Sequence, residues 1–436
     1  MKKILSIILL FPLLIIAQTN SDDDFSYGIS EKGPSINIPM SISQTNSHEI
    51  SWNSNIIFES NNLDKSYLNS MLYAGYITDS MKSQWINTGT EKNILYAEIS
   101  NEFSYTYYFN KQNIGFSIAD KNFINIQLPD DLLRLTLEGN FNYQDQVLDF
   151  SHTNIRATRF QQYKLKYGRT INSLKIQSGI SYLAGNHHLS YIIRDGSIYT
   201  APFGTHLDIQ YDMSSFITDT SDLSLSKHNG KGIAIEFSTD LNVKNYDIHF
   251  SISDLGFIIW NPSSITLATD SSFVFQGIEV EDILDFNDSL LEISTLENDL
   301  PKTNTNSFKS YIPATLHISL AGKTKNKYLA NYTTGIITKW QPYEDNTPLS
   351  FQKISQGFKE SNFSPLYYIK SIIRTKYLNI IPTLAYGGYN NQENIGLAIS
   401  KGKKYKFVLG THHLEDLFYK DKAKALSVHF NMNIQF

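Results

Sequence analysis

The chain has 436 residues and a formal net charge of −5, with no basic excess of the kind that a nucleic-acid partner requires. It contains no cysteine, which excludes both a disulfide framework and thiolate metal sites. Charged residues make up 18%, aromatic residues 13%, and Tyr (27) and Phe (26) far outnumber Trp (4), a balance that suits aromatic girdles at membrane interfaces.

Lys2 and Lys3 precede an apolar run from Ile4 to Ile16 that only Ser6 and Pro12 interrupt, and Ala17 follows. This pattern predicts a secretory signal peptide over 1–17, cleaved after Ala17. The run is too short for a good membrane-spanning helix, and no cysteine follows it to carry a lipid anchor. Residues 18–47 are expected to form a tail and the approach to the first strand, with Ser21–Asp24 solvated, and residues 48–436 to form one domain. Past the signal there is no apolar run of helix-spanning length, so a helical inner-membrane protein is excluded.

The Tyr67–Trp85 stretch has mixed periodicity and predicts a short helix near Thr78–Gln84, capped by Thr78 or Asp79. Between Leu95 and Phe109 the odd positions are apolar or aromatic except Asn101, and Glu98, Ser100, Glu102, Ser104 and Thr106 alternate with them. A soluble strand averages about five or six residues, whereas a tilted membrane strand needs about 9–11. Leu128–Gly139 predicts a second helix, with Pro129 in its first turn, Asp130 and Asp131 at its positive end and Gly139 closing it. Such pieces either lie in a barrel lumen, cap one end or are simple loop helices.

Glu279–Asp299 is rich in Asp and Glu but lacks calcium-loop spacing, and is read as a solvated connection. Ile312, Ala314, Leu316, Ile318 and Leu320 alternate with Thr315, His317 and Ser319; a turn at Lys323–Lys327 leads to Tyr328, Ala330 and Tyr332. Leu384 and Tyr386 lead to the turn Asn390–Asn394. Ile395, Leu397 and Ile399 lead to a tight turn at Lys401–Lys404, and Tyr405, Phe407 and Leu409 follow. In the last segment Leu426, Val428, Phe430, Met432, Ile434 and Phe436 share one face, and Ser427, His429, Asn431, Asn433 and Gln435 the other. An apolar side, a polar side and a terminal Phe make the closing strand of an outer-membrane barrel. The whole predicts an all-β fold: an antiparallel up-and-down transmembrane β-barrel of about fourteen strands with short helical segments.

Ser253 to Trp260 reads S-D-L-G-F-I-I-W and closely resembles the S-x-x-D-L-G-F-I-x-W signature of a Bacteroidota family of outer-membrane barrels catalogued as a domain of unknown function. Three further stretches resemble that family in the same order. They are Leu128–Asn140, Gly230–Phe237 (with Glu236 where Asp is usual) and Tyr311–Leu320 (with Ser319 where Gly is usual). The resemblance implies an outer-membrane barrel of a Gram-negative envelope, distantly like PorP/SprF-type barrels, and implies no activity or site residue. The signature residues Asp254, Leu255, Gly256, Phe257 and Trp260 have a structural reading: a bend or bulge at Asp254 and Gly256, and Trp260 as an interface anchor.

Chemistry is sparse. His187–His188 and His412–His413 are adjacent pairs, which regular strand geometry sends to opposite faces. There is no G-x-S-x-G elbow, phosphate loop or zinc spacing, so no catalytic, cofactor or metal residue is assigned and no enzyme is expected. The expected partners are outer-membrane lipid and, through the C-terminal strand with Phe430 and Phe436, the barrel-assembly machinery. Three functions stay open: a transport barrel for small or apolar solutes, an accessory barrel of secretion or surface machinery, and a secreted β-sandwich.

Overall fold

The structure is a computed structural model and describes residues 46–72, 77–218, 224, 226–275, 304–324, 326, 328–342, 345, 351–402, 404–418 and 423–436. The expected signal peptide, the tail before residue 46 and the acidic Glu279–Asp299 connection lie outside the described residues. Fourteen antiparallel strands close into one barrel. Closure joins the first strand, Ser47–Ser60, to the last, Ala425–Gln435, from Glu49 opposite Gln435 to Glu59 opposite Ala425. A single sheet that meets itself is not a two-sheet sandwich, which removes the third reading of the sequence.

Alternation sets the two faces. On Gln112–Leu128, Ile114, Phe116 and Ile118 are exposed on the outer wall while Asn113, Ser117 and Lys121 are buried inside. On the closing strand Leu426 and Val428 face out and Ser427, His429, Asn431 and Asn433 face in. A continuous wall of exposed Ile, Leu, Phe and Tyr around a polar interior is intelligible only with lipid outside, since soluble monomers rarely expose apolar patches of more than a few hundred Å².

One end of the barrel has tight turns. Asn110, Lys111, Asn172 and Lys244 sit there with positive φ, the backbone that two-residue hairpins of matching twist require. The opposite end carries the long connections. Helices Lys65–Leu72, Asp79–Asn87 and Asp130–Glu138 gather there around Leu63, Tyr67, Trp85, Ile86, Leu95, Leu133 and Leu137, so the predicted helical pieces cap one end. Thr78 caps the second helix by accepting the Met81 N–H, and Gly139, at φ 75°, closes the third. The helix Lys65–Leu72 starts at a local cap, Asp64 Oδ1 accepting the Tyr67 N–H at 3.1 Å, and Tyr67 joins the same cluster.

The strand Leu174–Thr200 has 27 residues, far more than a crossing needs. Its first half pairs within the barrel (Leu174 opposite Leu241 to Gly185 opposite Gly230), and its second half pairs with Leu207–Ile217. That strand in turn pairs with Ile265–Phe275, so a blade continues past the ring on the long-loop side. One expected alternation shifts. A bulge between Leu329 and Asn331 turns Ala330 inward, so it does not share the outer face of Tyr328 and Tyr332.

Candidate functional site

The signature segment ends the strand Tyr246–Trp260. Ile235 pairs with Leu255 but Phe237 pairs with Ile252, so one extra residue enters this strand opposite Glu236. Asp254 occupies the bulge with φ 59°, a left-handed backbone that Asp tolerates better than most residues. The extra residue inverts the alternation. Before the bulge the outward positions are even; after it Leu255 and Ile259 face out, and Ile258 and Trp260 face in. Trp260 is therefore not an interface anchor: it is 1% exposed, inside the barrel, with Nε1 donating to Ser310 Oγ at 2.8 Å and its ring 5.3 Å from that of His188. Gly256 lies so close to Ile233 and Ala234 that a side chain there would clash with the neighbouring backbone. Phe257 faces out and meets Tyr311 edge to face at 6.5 Å. In the closing strand Phe430 packs on Trp52 at 5.2 Å, and Phe436 stacks on His48 at 5.4 Å.

Trp260→Phe is expected to keep the stack on His188 while leaving Ser310 without its donor, costing about 0.5–1.5 kcal/mol. Equilibrium unfolding in lipid vesicles measures it, and a loss as large as that of Trp260→Ala would show that the hydrogen bond, not packing, fixes this ring.

Asp254 also turns its carboxylate into the lumen. Lys121 Nζ donates to Oδ2 at 2.6 Å and Gln162 Nε2 to Oδ1 at 3.0 Å. Beside it, Lys164 and Lys166 both pair with Glu236. These ladders cross the strands at the middle of the barrel and tie positions more than seventy residues apart.

Lys121 and Asp254 also border a cavity of about 100 Å³ that is partly open to solvent. Its wall joins an apolar side built of Tyr96, Phe123, Phe160, Phe363, Leu366 and Tyr389 to charged and polar side chains that include Glu59, Glu98 and Lys339. Tyr96 and Tyr389 stack at 3.7 Å, and Phe363 meets Tyr389 edge-on at 5.0 Å. Lys339 Nζ lies over the Tyr96, Tyr389 and Phe363 rings at 4.7, 5.1 and 5.4 Å and pairs with Glu98 at 3.8 Å. The charge is thus neutralised and its apolar stem joins the wall.

The long-loop side of the lumen is fastened by a network that the sequence does not announce. Arg156 Nη2 donates to Asp345 Oδ1 at 2.9 Å, and His188 Nε2 meets Asp345 Oδ2 at 3.1 Å. His188 Nδ1 lies 2.9 Å from Thr158 Oγ1, which makes Thr158 the donor when His188 gives its proton to Asp345. The side chains of Arg156, His188 and Asp345 are fully buried. Burial alone pushes the Asp345 carboxyl up, and Arg156 and His188 outweigh it and hold the group below its ordinary range. The arrangement has the order of a hydroxyl–His–carboxylate relay, but Arg156 takes up the carboxylate, and its neighbours close it from solvent. It locks Asp345 into the barrel wall.

His187 and His188 part as alternation predicts, His188 pointing inward to Asp345 and His187 lying on the opposite face, but His412 and His413 follow the end of their strand at Thr411 and both border the cavity. His413, Glu415 and Asp416 converge within 4.8 Å. Each already serves the fold: His413 contacts Asn394 and Glu59, Glu415 accepts the Ile395 N–H, and Asp416 accepts the Ala425 N–H.

The family described as "Family of unknown function (DUF5723)" matches residues 30–411. No curated protein matches the chain. Among solved structures, the chain is similar to a TodX monoaromatic hydrocarbon channel mutant (TM-score 0.42, 7% identity, 90% of each chain). It is also similar to the Ralstonia pickettii toluene transporter TbuX (TM-score 0.37, 8% identity, 89% of this chain and 88% of that one). A third likeness is to the translocator domain of the autotransporter NalP from Neisseria meningitidis (TM-score 0.35, 7% identity, 91% and 90%). At such scores these likenesses assign neither substrate nor role.

Proposed function

From the premise that the chain belongs to the DUF5723 family of unknown function, which fixes no activity, we propose that it is an outer-membrane passage for small apolar solutes. The observation that carries this reading is the aromatic-walled cavity inside the lumen. A pore for polar solutes needs a continuous wet path, whereas this lumen has an apolar chamber in its middle and helices over one end. The exposed apolar wall supports placement in a bilayer, and the helical cap and the buried Asp345 network support a plugged barrel.

A lateral way out is supported by one seam. Between the strands Ser364–Arg374 and Asn379–Gly388, Lys370 faces Thr383, yet the next pair is Ile373 with Ile380. Pro382 lies in the gap and has no N–H to give to a ladder. A second irregularity at Ser364/Tyr367 brackets the same seam. A solute in the cavity borders this wall through Leu366, Thr383 and Ala385.

The test is uptake of naphthalene and of sucrose by lipopolysaccharide-containing vesicles with and without the protein. Faster naphthalene uptake without sucrose permeability is expected, and equal rates in both vesicle types would sink the reading. Because the chain has no cysteine, the pair Ser371→Cys and Pro382→Cys is a clean staple for the seam. Oxidation is expected to reduce naphthalene uptake at least fivefold, and reductant to restore it. A rate indifferent to the staple would remove the lateral exit.

The accessory-barrel reading draws on the blade, whose tip holds Phe203 91% exposed and at φ 59°. The acidic connection that would have been its other partner surface lies outside the described residues.

A further inference from the structure

Among the described residues several of the lumen's buried cations are matched by carboxylates. Lys121 has Asp254, Lys164 has Glu236, Arg156 has Asp345 and Lys339 has Glu98. Lys370 is 6% exposed on the inner face of its strand, and among the described residues its Nζ has no hydrogen-bond partner. The side chains around it are also basic. Lys370 is a charged neighbour of His317, His412 and His429. His412 and His429 stack at 4.5 Å, and both ring nitrogens of His429 and Nδ1 of His317 are without partners among the described residues. Among the described residues His317 engages only its Nε2, which lies 2.9 Å from the Tyr368 hydroxyl. Among the described residues the nearby carboxylates are already engaged, Asp240 by His249 at 2.6 Å and Glu59 by His413 at 3.2 Å.

A buried, unpaired ammonium among imidazoles is costly unless an anion joins it. The cluster adjoins the cavity: Thr383, the cross-strand partner of Lys370, and His412 both line it. The charged groups elsewhere on the chamber wall are paired, Lys121 with Asp254, Lys339 with Glu98 and His413 with Glu59, whereas the Lys370 end has no carboxylate paired to it among the described residues. Resting on the transport reading above, we propose that the cavity takes an apolar molecule carrying a single carboxylate, its body against Phe123, Phe160 and Phe363 and its head on Lys370, His412 and His429. The lysine's flexible stem lets Nζ turn to the head group, and the histidines offer ring N–H donors beside it. A neutral apolar solute fills the same chamber but leaves the basic end without a counter-charge, so the site prefers the acid.

The experiment uses the full chain in lipid nanodiscs and calorimetric binding of 4-butylbenzoate, 4-butylbenzyl alcohol and acetate. The benzoate is expected to bind at least tenfold more tightly than the alcohol, and acetate to bind far more weakly than either. Lys370→Gln is expected to abolish the preference for the benzoate over the alcohol, and Lys370→Arg to retain it. Equal affinity of wild-type protein for benzoate and alcohol overturns the carboxylate site and leaves the apolar passage standing. Binding of neither overturns both. Acetate as tight as benzoate overturns the amphipathic ligand in favour of a simple anion site. The three-ligand comparison needs no variant, so misfolding of Lys370→Gln does not blunt it.

Discussion

Asp345→Ala is expected to destabilise the folded barrel by about 3–5 kcal/mol, the range for removing one partner of a buried ion pair. Arg156 is 0% exposed, so the substitution leaves a buried guanidinium without its counter-ion, beside the carbonyls of Tyr311 and Pro342 at 3.4 and 3.2 Å. His188 loses its acceptor at the same time. Asp345→Asn keeps an acceptor but not the charge and is expected to fall between. Urea unfolding in lipid vesicles, together with the temperature at which the fast-migrating folded band disappears on a gel, measures both. A loss under about 1 kcal/mol, the range of exposed pairs, would show that the network is solvated and holds nothing. The pH dependence has a fixed sign. Asp345 is held below the ordinary carboxylate range, so its contribution is complete above the unfolded value near 3.9 and is lost as pH falls through the lower folded value. The same variant tests the plug. If the buried Arg156, His188 and Asp345 side chains close the long-loop side of the lumen, Asp345→Ala is also expected to raise single-channel conductance from closed to measurable.

Asp254→Ala is expected to lose a similar amount, about 3–5 kcal/mol, because it strips Lys121 of its buried counter-ion. Alanine at φ 59° adds a backbone penalty of about 1–2 kcal/mol that Asp avoids in part by tolerating the left-handed region. Asp254→Asn keeps the backbone preference and an acceptor for Lys121, so it isolates the charge. Lys121→Met with Asp254→Ala is expected to be milder than the sum of the single changes, since both charges leave together. An additive double variant would show that Lys121 and Asp254 do not depend on each other. Deletion of Asp254 removes the extra residue and is expected to return Trp260 to the lipid-facing phase, so quenching by brominated lipid, in a variant whose one remaining tryptophan is Trp260, reports the inversion.

Much of the architecture is legible in the residues because the bilayer imposes a strict rule on each strand by itself. Leu426, Val428, Ser427 and His429 declare their sides by alternation alone, since one face must match lipid and the other need not. Helix ends are equally local: Thr78 and Gly139 set their boundaries by caps that involve only neighbours in the chain. Alternation also foretells that His187 and His188 part company.

Trp260 marks where local reading stops. Its sequence neighbours are those of an interface anchor, and one inserted residue, visible only when two strands are placed in register, turns it inside out. The candidate site is of the same kind. Lys121 and Asp254 are 133 residues apart, Arg156 and Asp345 are 189 apart, and Tyr96 and Tyr389 meet only because strands from the two ends of the chain close the ring. By itself the sequence determined the fold class, the strand faces and the caps, because hydrophobic matching and backbone hydrogen bonding act within a strand or a turn. Tertiary structure alone decided which buried charges pair, where Lys370 is left among histidines and where the apolar chamber opens, because those depend on the register with which distant strands meet.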